Sequence, residues 1–117
     1  MALNAFEKGL ALHEAATDEV FRKALRGACI QRFVFCIELA WKTSAKMMGS
    51  MSTGSKVVVR EMAQNGYIDS PEAWFDFIDA RNKTSHTYDN EIAVAVFAVA
   101  KRFLPEGREL LNRLGRQ

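Results

Sequence analysis

The chain has 117 residues, 49% of them hydrophobic and 26% charged, with a net charge of +2 at neutral pH. That composition is ordinary for a globular domain long enough to bury a core, so it excludes a disordered tail and a disulfide-built miniprotein. The charge is too small for bulk attraction to nucleic acid, so any such affinity must come from local clustering of cations.

Residues 2–16 carry Leu3, Phe6 and Leu10 at helical spacing, with Glu7, Lys8 and Glu14 between apolar positions. Thr17 or Asp18 can cap a long second helix, predicted to run to about Met48 and stop before Gly49. The stretch from Gly49 to Gly54 is the clearest break in the chain. Ser55 is placed as the cap of a short third helix ending near Gly66. Ser70-Pro71-Glu72 opens a fourth, with a capping hydroxyl, a proline at the first helical position and an early acid. Asp89 caps the last helix, whose apolar stripe is Ile92, Val96, Val99 and Phe103. Val57 to Val59 and the run from Ala93 have strand propensity, but interleaved alanines, caps and the lack of hairpin turns favour helix. No repeat, low-complexity tract or linker divides residues 1–117. An all-α, antiparallel up-and-down bundle of four to five helices follows.

The longest unbroken apolar run, Ala93 to Ala100, is far shorter than the ~20 residues that span a bilayer. No terminal segment has a signal-peptide layout, and the expectation is a soluble cytoplasmic protein with no membrane partner. Cys29 and Cys36 fall seven apart on one predicted helix. The helical rise separates them by about 10 Å, too far for a disulfide, and they read as small buried hydrophobes. No His, Cys and acid set has metal-ligand spacing, and no cofactor is expected. The second helix is unusual. From Ile30 to Trp41 its only strongly polar residues are Gln31, Arg32 and Glu38, so protein is expected on two sides of it. The second cover is either its own neighbours or another subunit.

The chemistry concentrates in Arg81-Asn82-Lys83-Thr84-Ser85-His86-Thr87-Tyr88. Arg forks onto phosphate oxygens, His moves protons near neutral pH, and a phenol hydroxyl can accept a transferred group. On one continuous helix Arg81 and Tyr88 would share a face two turns apart, while Arg81 and His86 would diverge by roughly 140°. Arg and His converge only if the helix bends or ends near Ser85, or if two copies of the segment face each other.

The pattern R-x-x-x-x-H-x-Y formed by Arg81, His86 and Tyr88 resembles the signature of HEPN-domain ribonuclease toxins of the HepT type, long called nucleotidyltransferase substrate-binding proteins. The block from Gln31 to Lys42 and Trp74, seven residues before Arg81, also fit, and the likeness runs roughly from residue 4 to residue 115. The resemblance implies one HEPN-like helical domain over residues 1–117 and a homodimer. It also implies a metal-independent endoribonuclease toxin in which Arg81 and His86 are catalytic and Asn82 and Ser85 support them. The family's antitoxin partner is a small ATP-using nucleotidyltransferase that transfers AMP to the motif tyrosine, here Tyr88, and so silences cleavage of the RNA substrate. The alternative it carries is a non-enzymatic binding and acceptor subunit for that transferase.

Each residue has a plainer reading. Arg81 alone would be a surface ion-pair partner of Asp76 or Asp79, and His86 a helix-end cation. Tyr88 would be an interface aromatic. Asn82 either orients His86 or merely ends a helix. Glu38 and Lys42 form an i,i+4 pair worth a few tenths of a kcal/mol. Trp41 and Trp74 are core or interface residues, and His13, among polar neighbours, is assigned no role.

Overall fold

A computed structural model describes residues 2–115; Met1, Arg116 and Gln117, at the ends of the expected domain, lie outside the described residues. Five α-helices follow one another: α1 (Ala2–Ala15), α2 (Glu19–Met48), α3 (Ser55–Gln64), α4 (Pro71–Asn82) and α5 (Asn90–Leu114), with a 3-10 turn over Lys83–His86 between the last two. No strand occurs among the described residues.

Local chemistry sets most of the helix ends. Asp18 caps α2 by accepting from the Phe21 amide at 2.9 Å. Ser70 caps α4 through the Ala73 amide at 3.2 Å. Asp89 caps α5 through the amides of Glu91 and Ile92. These bonds satisfy amides that the first helical turn leaves without partners. Ser55 is not the cap of α3: Gly54 takes that position without a side-chain bond, and Ser55 is the first helical residue. At the other end of α2, Gly49 turns left-handed at φ 66° and its amide closes on the carbonyls of Ala45 and Lys46. A residue with a Cβ would be strained there.

Consecutive long helices run antiparallel. Arg32 of α2 donates to the Ala5 carbonyl of α1, and Cys36 lies farther along α2 beside Leu3. α4 crosses α5 with Trp74 against Phe103. The helices meet on one aromatic knot. Phe103 of α5, 1% exposed, takes edge-on contacts from Phe33 of α2 at 5.6 Å and from Trp74 and Phe77 of α4 at 5.5 and 5.3 Å. Phe6 of α1 completes the knot at 6.5 Å. Such offset ring pairs add to the area they bury. Gly107 lets α1 close on this knot, because a Cβ there would stand 3.0 Å from the Phe103 ring and 3.3 Å from Leu3.

Cys29 and Cys36 are free and buried, and burial pushes both thiols up. α2 does turn two apolar faces outward, and the chain covers only one. Cys29, Ile30, Phe33, Cys36 and Ile37 are buried, whereas Phe35 and Leu39 are 59% and 46% exposed. The helix is therefore not wrapped by its own neighbours. Among the described residues no helix is long and apolar enough to cross a membrane.

Candidate functional site

α4 carries Arg81 to the surface directly after its buried stretch, which includes Trp74, Phe77, Ile78 and Ala80. The anchored face fixes where the guanidinium leaves the bundle. Its Nε donates to Glu38 Oε1 of α2 at 2.7 Å. The other Glu38 oxygen faces Lys42 Nζ at 3.1 Å, and the Trp41 indole N–H reaches Oε1 at 3.4 Å. Partial burial opposes the charge on Glu38, but hydrogen bonds from Arg81, Lys42 and Trp41 outweigh it and hold the carboxyl below its usual range. Among the described residues neither terminal amino group of Arg81 has a hydrogen-bond partner, so both are left to fork onto an incoming oxyanion.

Asp76 and Asp79, the ion-pair partners expected for Arg81, bind elsewhere. Asp79 pairs with Lys56 of α3 at 2.8 Å and Asp76 with Arg102 of α5 at 3.5 Å. The reason is helical geometry: positions two and five residues back point well away from Arg81 around the helix. Glu38 is the partner of Arg81 that sequence reasoning missed, since its spacing from Lys42 offered a local explanation. The available signal was its isolation as the lone acid between Ile30 and Trp41.

After Asn82 the α-helix gives way to the 3-10 turn. The Thr84 hydroxyl donates to the Arg81 carbonyl at 2.6 Å, and the Thr87 hydroxyl to the Thr84 carbonyl at 3.2 Å. These bonds fasten the turn to the end of α4. The segment is thus not one continuous helix, and Arg81 and Tyr88 do not share a helical face. A 3-10 turn advances about 120° per residue, so tightening does not bring His86 around to Arg81. His86 and Tyr88 do meet, with ring centroids 6.2 Å apart and planes at 67°. Both are exposed, Tyr88 at 87%. Asn82 ends α4 and Ser85 sits in the turn, both exposed; among the described residues no hydrogen bond joins Asn82 to His86. The structure therefore gathers His86 with Tyr88 and Arg81 with Glu38, and among the described residues no hydrogen bond joins one pair to the other.

The family profile described as nucleotidyltransferase substrate binding protein like matches residues 1–116. The chain belongs to that family. A Haemophilus influenzae (strain Rd) protein described as probable ribonuclease HepT is 35% identical over 103 residues, covering 81% of this chain and 70% of the relative. The nucleotidyltransferase substrate binding protein-like fold is equally plain in solved structures. A Haemophilus influenzae protein described as the substrate binding domain of a nucleotidyltransferase superposes with a TM-score of 0.86 at 31% identity, over 99% of this chain and 95% of that one. A Thermus thermophilus protein superposes at 0.77 with 26% identity, over 97% and 98%. These matches bear out the family resemblance carried by the R-x-x-x-x-H-x-Y segment and the all-α bundle expected from the helix pattern.

Proposed function

We propose that this chain is the metal-independent endoribonuclease toxin of a toxin–antitoxin pair, acting as a homodimer. The observation that carries the reading is the Glu38-anchored guanidinium of Arg81, open at its two amino groups and borne on the same short segment as the exposed His86 and Tyr88. The Haemophilus relative described as a probable ribonuclease supports it. The uncovered α2 face with Phe35 and Leu39 supports a second copy, which would set one Arg81 opposite another chain's His86.

In this scheme a ribose 2′-hydroxyl attacks the adjacent phosphorus. The 2′-O–P bond forms, the P–O5′ bond breaks, and the hydroxyl proton passes to an imidazole of His86. The departing 5′-oxygen takes a proton from an imidazolium, for which the second copy's His86 is available. Arg81 binds the phosphoryl oxygens as charge builds on them, with Asn82 and Ser85 lining the approach. The products are a 2′,3′-cyclic phosphate and a 5′-hydroxyl, and DNA, lacking the nucleophile, is not cut. Purified protein tests this on RNA: if His86→Ala or Arg81→Ala cuts as fast as wild type, the assignment fails.

A second reading rests on the exposure of Tyr88 and the family description. A small nucleotidyltransferase partner would transfer AMP from ATP to Tyr88. The phenol oxygen would bond to the α-phosphorus, pyrophosphate would leave, and the phenol proton would go to solvent. The added negative charge beside His86 would repel RNA phosphate. Co-expression with the partner, followed by mass spectrometry, checks this. A modified Tyr88 in a chain whose free form never cuts RNA would favour a non-enzymatic acceptor subunit.

A further inference from the structure

A groove of about 360 Å³ opens beside Tyr88, between the first half of α2 and the start of α5. Its size falls within the usual range for small-ligand clefts. Lys23 and Arg26 line it, and none of its lining residues is acidic. A pocket with two cations and no carboxylate is built for an anion. The Arg26 guanidinium donates to Asn90 Oδ1 at 2.8 Å, so a bond spans the two helices that wall the groove. Gln31 and Asn90 bring amide groups able to meet a base edge, and the floor includes the buried apolar pair Ile30 and Ala93. Tyr88 offers an open ring face at the lip.

Cations also act on the neighbouring end of α1. His13 of α1 packs against Phe97 with ring centroids 4.5 Å apart and planes tilted at 58°, and its imidazole is held below the ordinary value by burial and then by Arg22, Lys101 and Arg26, against an opposing pull from Glu19. The motif links the groove to Arg81. Arg81 meets α2 at Glu38, and Tyr88 shares the groove with Gln31, so the eight-residue segment runs about 10 Å back along α2.

We propose that this groove is a nucleotide subsite that seats one nucleotide of a single-stranded RNA next to the phosphate held by Arg81. Lys23 and Arg26 take its backbone phosphate, the Tyr88 ring stacks on its base, and Gln31 and Asn90 read the base edge. The identity of the strand rests on the RNA-cleaving reading above; the affinity of the groove for a nucleotide does not.

The test separates the two. Binding of a short 2′-O-methyl RNA, which lacks the attacking hydroxyl, is followed by fluorescence anisotropy across a salt series. The comparison is between wild type, Lys23→Ala, Ala24→Trp and Lys8→Ala. Ala24 lines the groove and is exposed, so a tryptophan fills the space without entering the core. Lys8 is an exposed cation of α1 and measures the effect of losing any one charge. Lys23→Ala should weaken binding at least about fivefold and lower the salt slope by about 0.7, Ala24→Trp should weaken it about tenfold, and Lys8→Ala should change it less than about twofold. Circular dichroism melts confirm that all four fold. Binding by Lys23→Ala and Ala24→Trp that matches Lys8→Ala overturns the subsite, even if wild type cuts RNA. Weakened binding in both, with no cleavage by wild type, upholds the subsite and removes the nuclease.

Discussion

Glu38 and Arg81 lie 43 residues apart in the chain and 2.7 Å apart in space. The bond uses Nε and spares the terminal amines, so the carboxylate aims the guanidinium without blocking it. Glu38→Gln keeps the shape and removes the charge. Cleavage of RNA should fall about tenfold, mostly in kcat, in initial-rate assays. The ion pair also predicts a pH effect. Because the folded-state carboxyl is depressed, its stabilisation is present above the unfolded value near 4.3 and is lost as pH falls through the lower folded value. The stability difference between wild type and Glu38→Gln should therefore shrink on acidification through that window, as read by urea unfolding.

Arg81→Lys preserves charge but not geometry. One ammonium cannot hold Glu38 through one nitrogen and fork onto phosphate with two others. The variant should lose on the order of a hundredfold in kcat, close to Arg81→Ala. Near-wild-type turnover by the lysine variant would mean that Arg81 serves only as a point charge.

Phe35→Glu and Leu39→Glu place charges on the bare face of α2. Sedimentation should show the wild type as a dimer and each variant as a monomer. Since neither side chain is buried in the single chain, the fold of the monomer itself should change by no more than about 0.5 kcal/mol. A wild-type chain that sediments as a monomer would remove the shared cleft.

Phe103 joins rings from α1, α2 and α4. Truncation to alanine should cost about 3–5 kcal/mol, measured by urea unfolding. Gly107→Ala presses a methyl toward the same ring and should cost about 1–3 kcal/mol.

His13, partly buried against Phe97 and flanked by cations, resists protonation when folded. The unfolded chain takes up a proton as pH falls through about 6.5 while the folded chain does not, so stability declines below that pH. His13→Gln should flatten this slope between pH 7 and 5 in thermal melts at matched ionic strength.

Much of the bundle could be read from the chain because capping is local. Asp18, Ser70 and Asp89 each act within three residues of their own position. The start of α3 is harder to read, because Gly54 opens it one residue before Ser55 with no side-chain bond to mark the place. The two-sided character of α2 was visible as missing polarity, whereas which side stays bare depended on how α1 and α5 pack. The motif residues stood out by type and spacing. Their partners did not, since Glu38 reaches Arg81 only after α2 and α4 dock, and Asn90 meets Lys23 and Gln31 of α2 from far along the chain. His13 looked solvated because its aromatic neighbour, Phe97, comes from the far end of the chain.

The turn at Lys83–His86 contains no buried residue. It is tethered at one end by α4, locked into the aromatic knot, and at the other by the Asp89 cap. Backbone amides between these tethers should exchange with deuterium within the opening time of a single strap, while those of Phe77 and Ile78 wait for the whole molecule to open. Such a result would place the imidazole of the proposed site on backbone that opens before the helix carrying the guanidinium.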